Sequence, residues 1–211
     1  MQVVTLRNPK LLHTLNTFSD WIFSHEESVL EDFAHGNIGT SSEWACSEEY
    51  LRTAQRKYIE EYGFPEKSVG IDLNHGNALE GVREITAKLD REMISILGVG
   101  FNALKMYYPT TGYIGWHHNA NCPGQNLVLT YSPPGAAGYF EYQEPGTDKI
   151  IRIDDPEGWS AKAGYYGGFS EPDKIFWHCA RSVNKPRMTI SYVIRDQWMW
   201  DEMVQDIESD Q

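Results

Sequence analysis

The sequence lacks any long apolar run. None of its segments approaches the roughly 20 consecutive apolar residues that a membrane-spanning helix needs. Its first residues, MQVVTLRNPKLLHTLNTF, also lack the basic start and the uninterrupted apolar stretch of a signal peptide. We therefore expect no membrane association and a cytoplasmic location.

Cysteine is scarce as well. Cys46, Cys122 and Cys179 are odd in number and widely spaced, which is not the pattern of a disulfide framework or a zinc knuckle. Cys179 adjoins His178, and we interpret it as a small buried apolar residue of a strand.

Basic residues are few relative to acidic ones. The chain has 18 Lys and Arg against 30 Asp and Glu, a formal net charge of −12. Binding to duplex nucleic acid depends on Lys and Arg at the phosphates, so this charge argues against nucleic acid as the main partner. On these grounds the molecule that this protein binds or acts on is expected to be a protein side chain or a small molecule.

Aromatic residues are abundant, with 7 Trp, 12 Tyr and 8 Phe among 211 residues, enough to fill one substantial core. We predict a single domain over 1–211. Its parts are helical support over 1–99, a β-rich core over 100–196, and a C-terminal helix and tail over 197–211.

Apolar periodicity predicts three helices before residue 100. They cover 14–34, ending near His35-Gly36, then 47–62 behind Ser47, and NALEGVREITAKLDREMISILG from Asn77 to Gly98. The second carries Tyr50, Leu51, Ala54, Tyr58 and Tyr62 at helical spacing, and the third begins with Leu79 and Val82.

Short runs rich in β-branched and aromatic residues follow, separated by Pro, Gly and Asn. Seven strands are predicted: ALKMYYP, GYIGWHH, NLVLTYS, GYFEYQ, KIIRID, KIFWHCA and RMTISYVIR. Seven short strands suggest a jelly roll or a related barrel. SPPGAAG and AGYYGGFSEPD are candidate lids, and a structural role of each Gly in a tight hairpin is the alternative. DQWMWDEMVQDIE is predicted as a helix that covers a sheet with Trp198, Met199 and Val204.

Two segments, YYPTTGYIGWHHN and IFWHCARSVNKPRMTISYVIRD, carry the candidate chemistry. Residues two apart in a strand share a face, so His117 and Asn119 can enter one cavity while His118 points away. A His-x-carboxylate pair and a distant His form the triad that leaves three positions of an iron ion open. Here His178 supplies the distant His and Asn119 occupies the carboxylate position. We predict that His117, Asn119 and His178 are the metal-binding and catalytic residues.

These segments resemble the iron(II)- and 2-oxoglutarate-dependent dioxygenase superfamily, over residues 100–196. Tyr108 stands nine positions before His117, as in the AlkB-like branch, where such a Tyr contacts 2-oxoglutarate. The resemblance implies an AlkB-like or prolyl-hydroxylase-like double-stranded β-helix, that is, a mainly β jelly roll with N-terminal helices and a C-terminal helix.

The resemblance also assigns co-substrate residues. In the superfamily a basic residue after the distal His anchors the far carboxylate of 2-oxoglutarate, which implies Arg187 here, with a hydroxyl from Thr189 or Ser191. The planar guanidinium suits two parallel bonds to a carboxylate. An ion pair at the barrel rim is the alternative for Arg187, and Arg195 and Arg181 are further candidates.

Asn119 leaves three hypotheses open: a working variant site, an engineered inactivation, or a protein that kept the fold and lost the chemistry. Asn keeps an oxygen that can bind iron but removes one negative charge, so iron should bind more weakly. The shifted alignment of His118 and Ala120 would imitate halogenating members of the superfamily, but the position of Tyr108 disfavours it.

The expected function is therefore an oxygenase that uses Fe(II), 2-oxoglutarate and O2, with ascorbate as an auxiliary, to hydroxylate a protein side chain or small molecule. The alternative is a non-catalytic binding or assembly module with a protein partner. Exposed Trp198 and Trp200 would favour that docking role. The WHxN segment is also similar to that of compact proteins of tailed phages, which implies a phage-encoded member in the host cytoplasm or the virion.

Overall fold

A computed structural model describes residues 1–31, 41–57, 65–74, 80–99 and 102–210. The helices within these ranges are α1 (Pro9–Ser24), α2 (Glu26–Glu31), α3 (Ser42–Ala45), α4 (Glu48–Lys57), α5 (Glu80–Leu97) and α6 (Gln197–Glu208). The strands are β1 (Gln2–Val4), β2 (Ser68–Val69), β3 (Ile71–Asp72), β4 (Asn102–Tyr108), β5 (Tyr113–His117), β6 (Gly124–Ser132), β7 (Gly138–Gln143), β8 (Ile150–Asp154), β9 (Gly158–Tyr166), β10 (His178–Ser182) and β11 (Arg187–Ile194).

The strands form two antiparallel sheets. The six-stranded sheet has the order β1-β9-β6-β11-β4-β3, and the five-stranded sheet has the order β2-β5-β10-β7-β8. From β4 onward the chain alternates between the sheets, with one hairpin, β7-β8, inside the smaller sheet. This is the topology of a double-stranded β-helix, and it confirms the predicted jelly roll with helices before and after it.

The six-stranded sheet has one face toward the helices and one toward the smaller sheet. Alternate residues of β6 and β11, including Leu127, Leu129 and Ile190, join buried residues of α1, α5 and α6 in the main hydrophobic core. Because side chains alternate along a strand, their neighbours Val128 and Thr189 face the interior between the sheets. The helical layer thus fixes which side chains enter that interior.

The first predicted helix, over 14–34, is wrong in its start and its continuity. α1 begins at Pro9, where the side chain of Asn8 accepts hydrogen bonds from two backbone amides, and α1 and α2 are separated at His25. Pro is favoured in the first turn because its missing N–H would be unpaired there. The predicted end at His35-Gly36 lies outside the described residues.

The second predicted helix is observed as α4. The Ser47 hydroxyl accepts from the amide of Tyr50 at 3.2 Å, so it caps the start as predicted. Tyr50 and Leu51 are buried, whereas Tyr58 and Tyr62 lie outside the described residues.

The third predicted helix is observed as α5. Val82, Leu89 and Met93 are buried on one face. Gly98 ends the helix with a φ of 64°, a conformation that glycine adopts without strain. The predicted cap Asn77 and first apolar residue Leu79 lie outside the described residues.

The predicted strands are observed with three differences. β10 begins at His178, so the residues IFW before it are not strand. β9 was missed, and its last residues include part of the segment interpreted as a lid. The short strands β1, β2 and β3 were missed too, because strands of two or three residues carry no periodic signal.

The C-terminal helix is observed as α6, but the residues predicted to cover the sheet are mostly wrong. Met203 and Ile207 are the buried ones, while 70% of the Trp198 surface and 38% of the Met199 surface are exposed. Val204 packs partly against the core, as predicted. None of the helices within the described ranges has the length and apolar character to cross a membrane.

Candidate metal centre

A cavity of about 540 Å³ lies between the two sheets. Its wall includes residues from β3, β4, β5, β6, β7, β9, β10 and β11. Every residue predicted for the site lines it: His117, Asn119, His178, Tyr108, Arg187, Thr189 and Ser191. The fold therefore brings together residues that are up to 83 positions apart, from Tyr108 to Ser191.

His117 and His178 form the pair at its centre. They are directly opposite each other in the antiparallel pairing of β5 and β10, and their ring centroids are 4.2 Å apart. Both side chains are buried, with residue exposures of 5% and 6%. Two imidazoles this close, on paired strands, are placed as two candidate ligands of one ion.

The Nδ1 atom of each histidine already has a hydrogen-bond partner. His117 Nδ1 lies 2.8 Å from the carbonyl oxygen of Gly115, and His178 Nδ1 lies 3.0 Å from that of Phe176. A carbonyl oxygen only accepts, so each Nδ1 carries the proton and each Nε2 presents a lone pair. Such a backbone bond is the usual orienting contact of a metal-binding histidine.

Both histidines are held in the neutral form that binds metal. Burial lowers the pKa of His117 to about 4, which outweighs the opposing effects of its interactions with the backbone of Gly115 and of His178. Burial and the neighbouring His117 lower the pKa of His178 well below its usual range. In the part of the chain that the structure describes, no third His, Cys, Asp or Glu completes a metal-binding group with them.

Asn119 lines the cavity, but it does so from a loop. β5 ends at His117, so the expectation that both residues lie in one strand is wrong in this detail. The turn after the strand is closed by a bond from the amide of Cys122 to the backbone oxygen of Asn119, at 2.8 Å. The amide side chain of Asn119 is the remaining oxygen donor that the predicted triad offers.

His118 faces the other way, as the strand alternation predicted. Its ring packs edge-on against Trp177, with centroids 4.7 Å apart, and against Phe169. Neither His118 nor Ala120 lines the cavity. The geometry therefore favours the triad of His117, Asn119 and His178 over the alignment shifted by one residue.

Arg187 anchors a charged cluster in the wall of the cavity. Its Nε and Nη2 donate to Asp155 Oδ2 at 3.0 and 2.9 Å, and Lys162 Nζ donates to Asp155 Oδ1 at 2.8 Å. These three side chains are between 0% and 2% exposed. The predicted ion pair of Arg187 thus exists, in the interior and not at the rim, and it leaves the cluster with two cations for one anion.

The two cations keep the Asp155 carboxyl of this cluster ionised. Burial by itself raises the pKa of the Asp155 carboxyl, but Arg187 and Lys162 outweigh burial and hold that pKa below its usual value. Burial, reinforced by Arg187, lowers the pKa of Lys162, with Asp155 opposing the change. A surplus positive charge with this little solvent is stabilised by an anion.

Several polar atoms in the cavity wall have no hydrogen-bond partner among the described residues. They are Arg187 Nη1, Thr189 Oγ1 and the hydroxyl of Tyr166, all of them buried. Buried donors are nearly always satisfied, by protein, water or a ligand, so these three atoms are available to a polar ligand of the cavity. An unpaired guanidinium nitrogen beside a hydroxyl, in a site with surplus positive charge, fits one carboxylate of a dicarboxylic acid.

Tyr108 borders the same region. The Cζ atom of Arg187 is 5.4 Å from the centre of the Tyr108 ring, and the two residues are register partners between β4 and β11. Burial raises the pKa of Tyr108, so its hydroxyl stays protonated and can donate. Tyr108 and Arg187 are thus neighbours, as the resemblance implied.

The two other arginine candidates lie elsewhere. Arg195 is exposed, with its guanidinium 3.9 Å from the sulfur of Cys122. Arg181 forms an ion pair with Glu43 and does not line the cavity. Cys179 is fully buried with its sulfur toward Glu141, as expected for a small strand residue.

Asp155, Lys162 and Tyr166 were missed from the sequence. A weak signal exists for Lys162, which sits between two alanines in the alternating strand β9, where a charged residue is unexpected. Asp155 and Tyr166 carry no local signal, since only the pairing of distant strands makes them neighbours of Arg187 and His178.

Comparison with known proteins supports no assignment beyond the fold. No protein-family model and no curated protein matches the chain. A prolyl 4-hydroxylase from Pseudomonas putida aligns at 12% identity and a TM-score of 0.35, over 81% of this chain and 98% of that one. A prolyl hydroxylase from Trichoplax adhaerens, solved with a peptide of hypoxia-inducible factor, aligns at 12% identity and a TM-score of 0.33, over 89% of this chain and 96% of that one.

The structure of OsALKBH1 is also similar, at 13% identity and a TM-score of 0.30. The alignment covers 53% of this chain and 65% of that one, so the chain spans less than two thirds of that protein. These likenesses are too distant to assign a function, which must be argued from the cavity itself.

Proposed function

We propose that this protein is an iron(II)- and 2-oxoglutarate-dependent oxygenase. The observation that carries the proposal is the combination, in one cavity, of two histidine Nε2 atoms and an unpaired Arg187 Nη1 beside Thr189 Oγ1. The first pair fits a divalent metal, and the second fits a carboxylate. A ligand that chelates the metal at one end and carries a carboxylate at the other satisfies both.

The chain supplies positioning and charge. His117 and His178 hold the metal through Nε2, and the amide oxygen of Asn119 completes the protein ligands. Arg187 and Thr189 bind the far carboxylate of the co-substrate. When bound, iron(II) and 2-oxoglutarate supply oxidative decarboxylation by O2, which yields succinate and CO2 and oxidises a C–H bond of the substrate.

Charge explains how such a site can work with Asn119. Two neutral histidines and a neutral amide do not offset a divalent cation, and the cluster around Arg187 adds one further positive charge. The two negative charges of 2-oxoglutarate offset most of this excess in a site where little solvent screens it. Metal and co-substrate should therefore bind cooperatively.

Calorimetric titration with Mn(II), an inert substitute for Fe(II), tests the proposal. We expect weak binding without 2-oxoglutarate and clearly tighter binding with it, and no binding by the His178→Ala variant. Metal analysis of anaerobically purified protein provides an independent check. If wild type binds neither Mn(II) nor 2-oxoglutarate in any combination, the oxygenase proposal is wrong.

Activity is tested by succinate release with Fe(II), 2-oxoglutarate, ascorbate and O2. Wild type should release succinate slowly without its substrate, and above the His117→Ala variant, because co-substrate oxidation in such sites can run uncoupled. The rate should be low, since the neutral Asn119 leaves the metal more positive and less able to reduce O2.

A second candidate, a non-catalytic binding or assembly module, is favoured by Asn119 and by the 70% exposure of Trp198 on α6. Tryptophan is enriched in protein–protein interfaces relative to the rest of the surface. The same assay separates the two candidates. If wild type equals His117→Ala while Asn119→Asp restores turnover, the pocket is competent but silenced, and the binding role is the better account.

A further inference from the structure

The mouth of the cavity has a chemical character different from its interior. The exposed or half-buried lining residues come from the segment 65–72, from β4 and from the loop after β5, and they include Asp72, Leu104, Met106, Asn119 and Asn121. Among the described lining residues, Asp72 and Arg187 carry the formal charges. Arg187 is buried in the wall, so among the charged lining residues that the structure describes, Asp72 is the exposed one.

The fold directs Asp72 into the cavity. In the antiparallel pairing of β3 and β4, Asp72 lies opposite Met106, and paired residues project from the same face of a sheet. Met106 lines the cavity, as does the next inward residue of β4, Tyr108. The negative charge of Asp72 contributes to raising the pKa of Tyr108, after burial and together with Cys46, so its field reaches the interior.

Asp72 has bonding capacity left. Its Oδ1 accepts one hydrogen bond, from the amide of Asn74 at 2.9 Å, and within the described residues its side chain makes no ion pair. Arg187 is the cation among the described lining residues, but Asp155 already binds two of its nitrogens. The remaining nitrogen of Arg187 is assigned to the co-substrate carboxylate under the proposed function. Asp72 is therefore the charged lining residue left for a charged group of the substrate.

The walls between the mouth and the histidines suit an aliphatic chain. Leu104, Met106, Ile114, Val128 and Val193 line this space. Tyr166 adds a buried hydroxyl with no partner among the described residues, which can orient a polar group. The formal net charge of −12 also attracts cations and repels anions at long range.

We infer that the substrate of this site carries an ammonium or guanidinium group on an aliphatic chain, and that Asp72 binds this cation at the mouth while the chain extends toward His117 and His178. The inference rests on the proposed function for the reaction but makes a separate claim about recognition. The cation can belong to a free amine or to a basic residue of a peptide, which share this chemistry.

Binding of matched probes tests the inference on the full chain, with Mn(II) and 2-oxoglutarate at saturation. Hexylammonium, hexanol and hexanoate share their chain and differ in charge. We expect hexylammonium to bind tightest and hexanoate weakest. The amides of N-acetyl-lysine and N-acetyl-glutamate extend the comparison to peptide groups, and tighter binding of the lysine derivative than of hexylammonium identifies a peptide as the source.

Variants of Asp72 make the test specific. Asp72→Asn keeps the acceptor for the Asn74 amide. It should weaken the binding of hexylammonium about fivefold, because a partly exposed charge pair contributes about that much. Asp72→Lys should reverse the preference in favour of hexanoate. Asp148→Asn, which removes an exposed charge from the turn after β7, outside the cavity, is the matched control and should leave the probe order unchanged.

Equal binding of hexylammonium and hexanoate to wild type, or a preference that Asp72→Asn leaves intact, overturns the inference. The result is separable from the proposed function, because binding of Mn(II) and 2-oxoglutarate is titrated first and without probes. If those two ligands fail to bind, the oxygenase proposal is wrong, and the probe series on the metal-free chain still decides whether Asp72 selects cations.

Discussion

At the scale of single residues, the candidate site depends on which atoms already have partners. The bonds from His117 and His178 to backbone carbonyls leave both Nε2 atoms free to bind, and the bonds from Arg187 to Asp155 leave Nη1 free. A binding site is defined as much by these committed atoms as by the free ones, because they fix the orientation of the side chains.

The neutral Asn119 should limit metal affinity, so Asn119→Asp should tighten Mn(II) binding in the absence of 2-oxoglutarate. We expect a gain of about tenfold or more, a size that even indirect changes around a metal site can reach. Calorimetry at pH 7 measures it. Asn121→Asp is the matched control, since Asn121 also lines the cavity. An equal gain from both variants would show a general charge effect and no bond from residue 119.

Arg187 should anchor the far carboxylate of 2-oxoglutarate. Arg187→Lys replaces a planar fork by a single point charge, and we expect the binding free energy of 2-oxoglutarate to weaken by about 1.5–3 kcal/mol. Titration in the presence of Mn(II) measures this change. Arg195→Lys alters an exposed arginine outside the cavity and should change nothing; a similar loss in both variants would contradict the assignment.

At the scale of elements, β9 and the residue after β8 support β11. Asp155 and Lys162 place a charge pair beneath Arg187, and Gly138 of β7 gives them room, since a Cβ atom there would lie 3.1 Å from Asp155 Oδ2. Strands of both sheets thus converge on one guanidinium. This arrangement makes the stability of the barrel dependent on a polar cluster.

Removing the anion of that cluster should destabilise the fold. Asp155→Asn leaves Arg187 and Lys162 buried without a counter-charge, and breaking such a pair typically lowers the free energy of unfolding by about 3–5 kcal/mol. Urea unfolding measures it. Asp154→Asn, at the neighbouring exposed position, should stay within about 0.5 kcal/mol of wild type. Partial recovery of Asp155→Asn by added 2-oxoglutarate would further support a dicarboxylate beside Arg187.

At the scale of the whole molecule, the two sheets enclose histidines that would be protonated more readily in water. His117 and His178 sit between the sheets, and burial favours their neutral forms. Folding therefore excludes protons from these imidazoles, and the stability of the protein becomes dependent on pH.

The metal-free protein should lose stability as pH falls from about 6.5 toward 4. The folded-state pKa of His117, about 4, is below its ordinary value of 6.5, so between these values the unfolded chain binds more protons. The contribution of neutral His117 to the free energy of unfolding is roughly 3 kcal/mol. It is fully present above pH 6.5 and is lost as pH falls through 4. Urea unfolding with a chelator at several pH values measures it, and His117→Gln should flatten the profile. A flat wild-type profile between pH 7 and 5 would contradict the placement of the histidines.

The sequence by itself determined which residues could be predicted for the site from local evidence. His117, His178 and Arg187 stand in short segments with strand periodicity, and alternation alone separates His117 from His118. The helices α4 and α5 and most strands were predictable for the same reason, since their apolar spacing and their caps Ser47 and Gly98 are properties of neighbouring residues.

Only the tertiary structure decided the environment of those residues. Asp155 and Lys162 meet Arg187, and Asp72 reaches the mouth of the cavity, because strands distant in sequence pair in one particular register. The exposure of Trp198 and the burial of Met203 likewise depend on how α6 docks on the core. Such contacts form between residues far apart along the chain, so no local pattern encodes them, and the charge balance of the cavity is a property of the folded molecule.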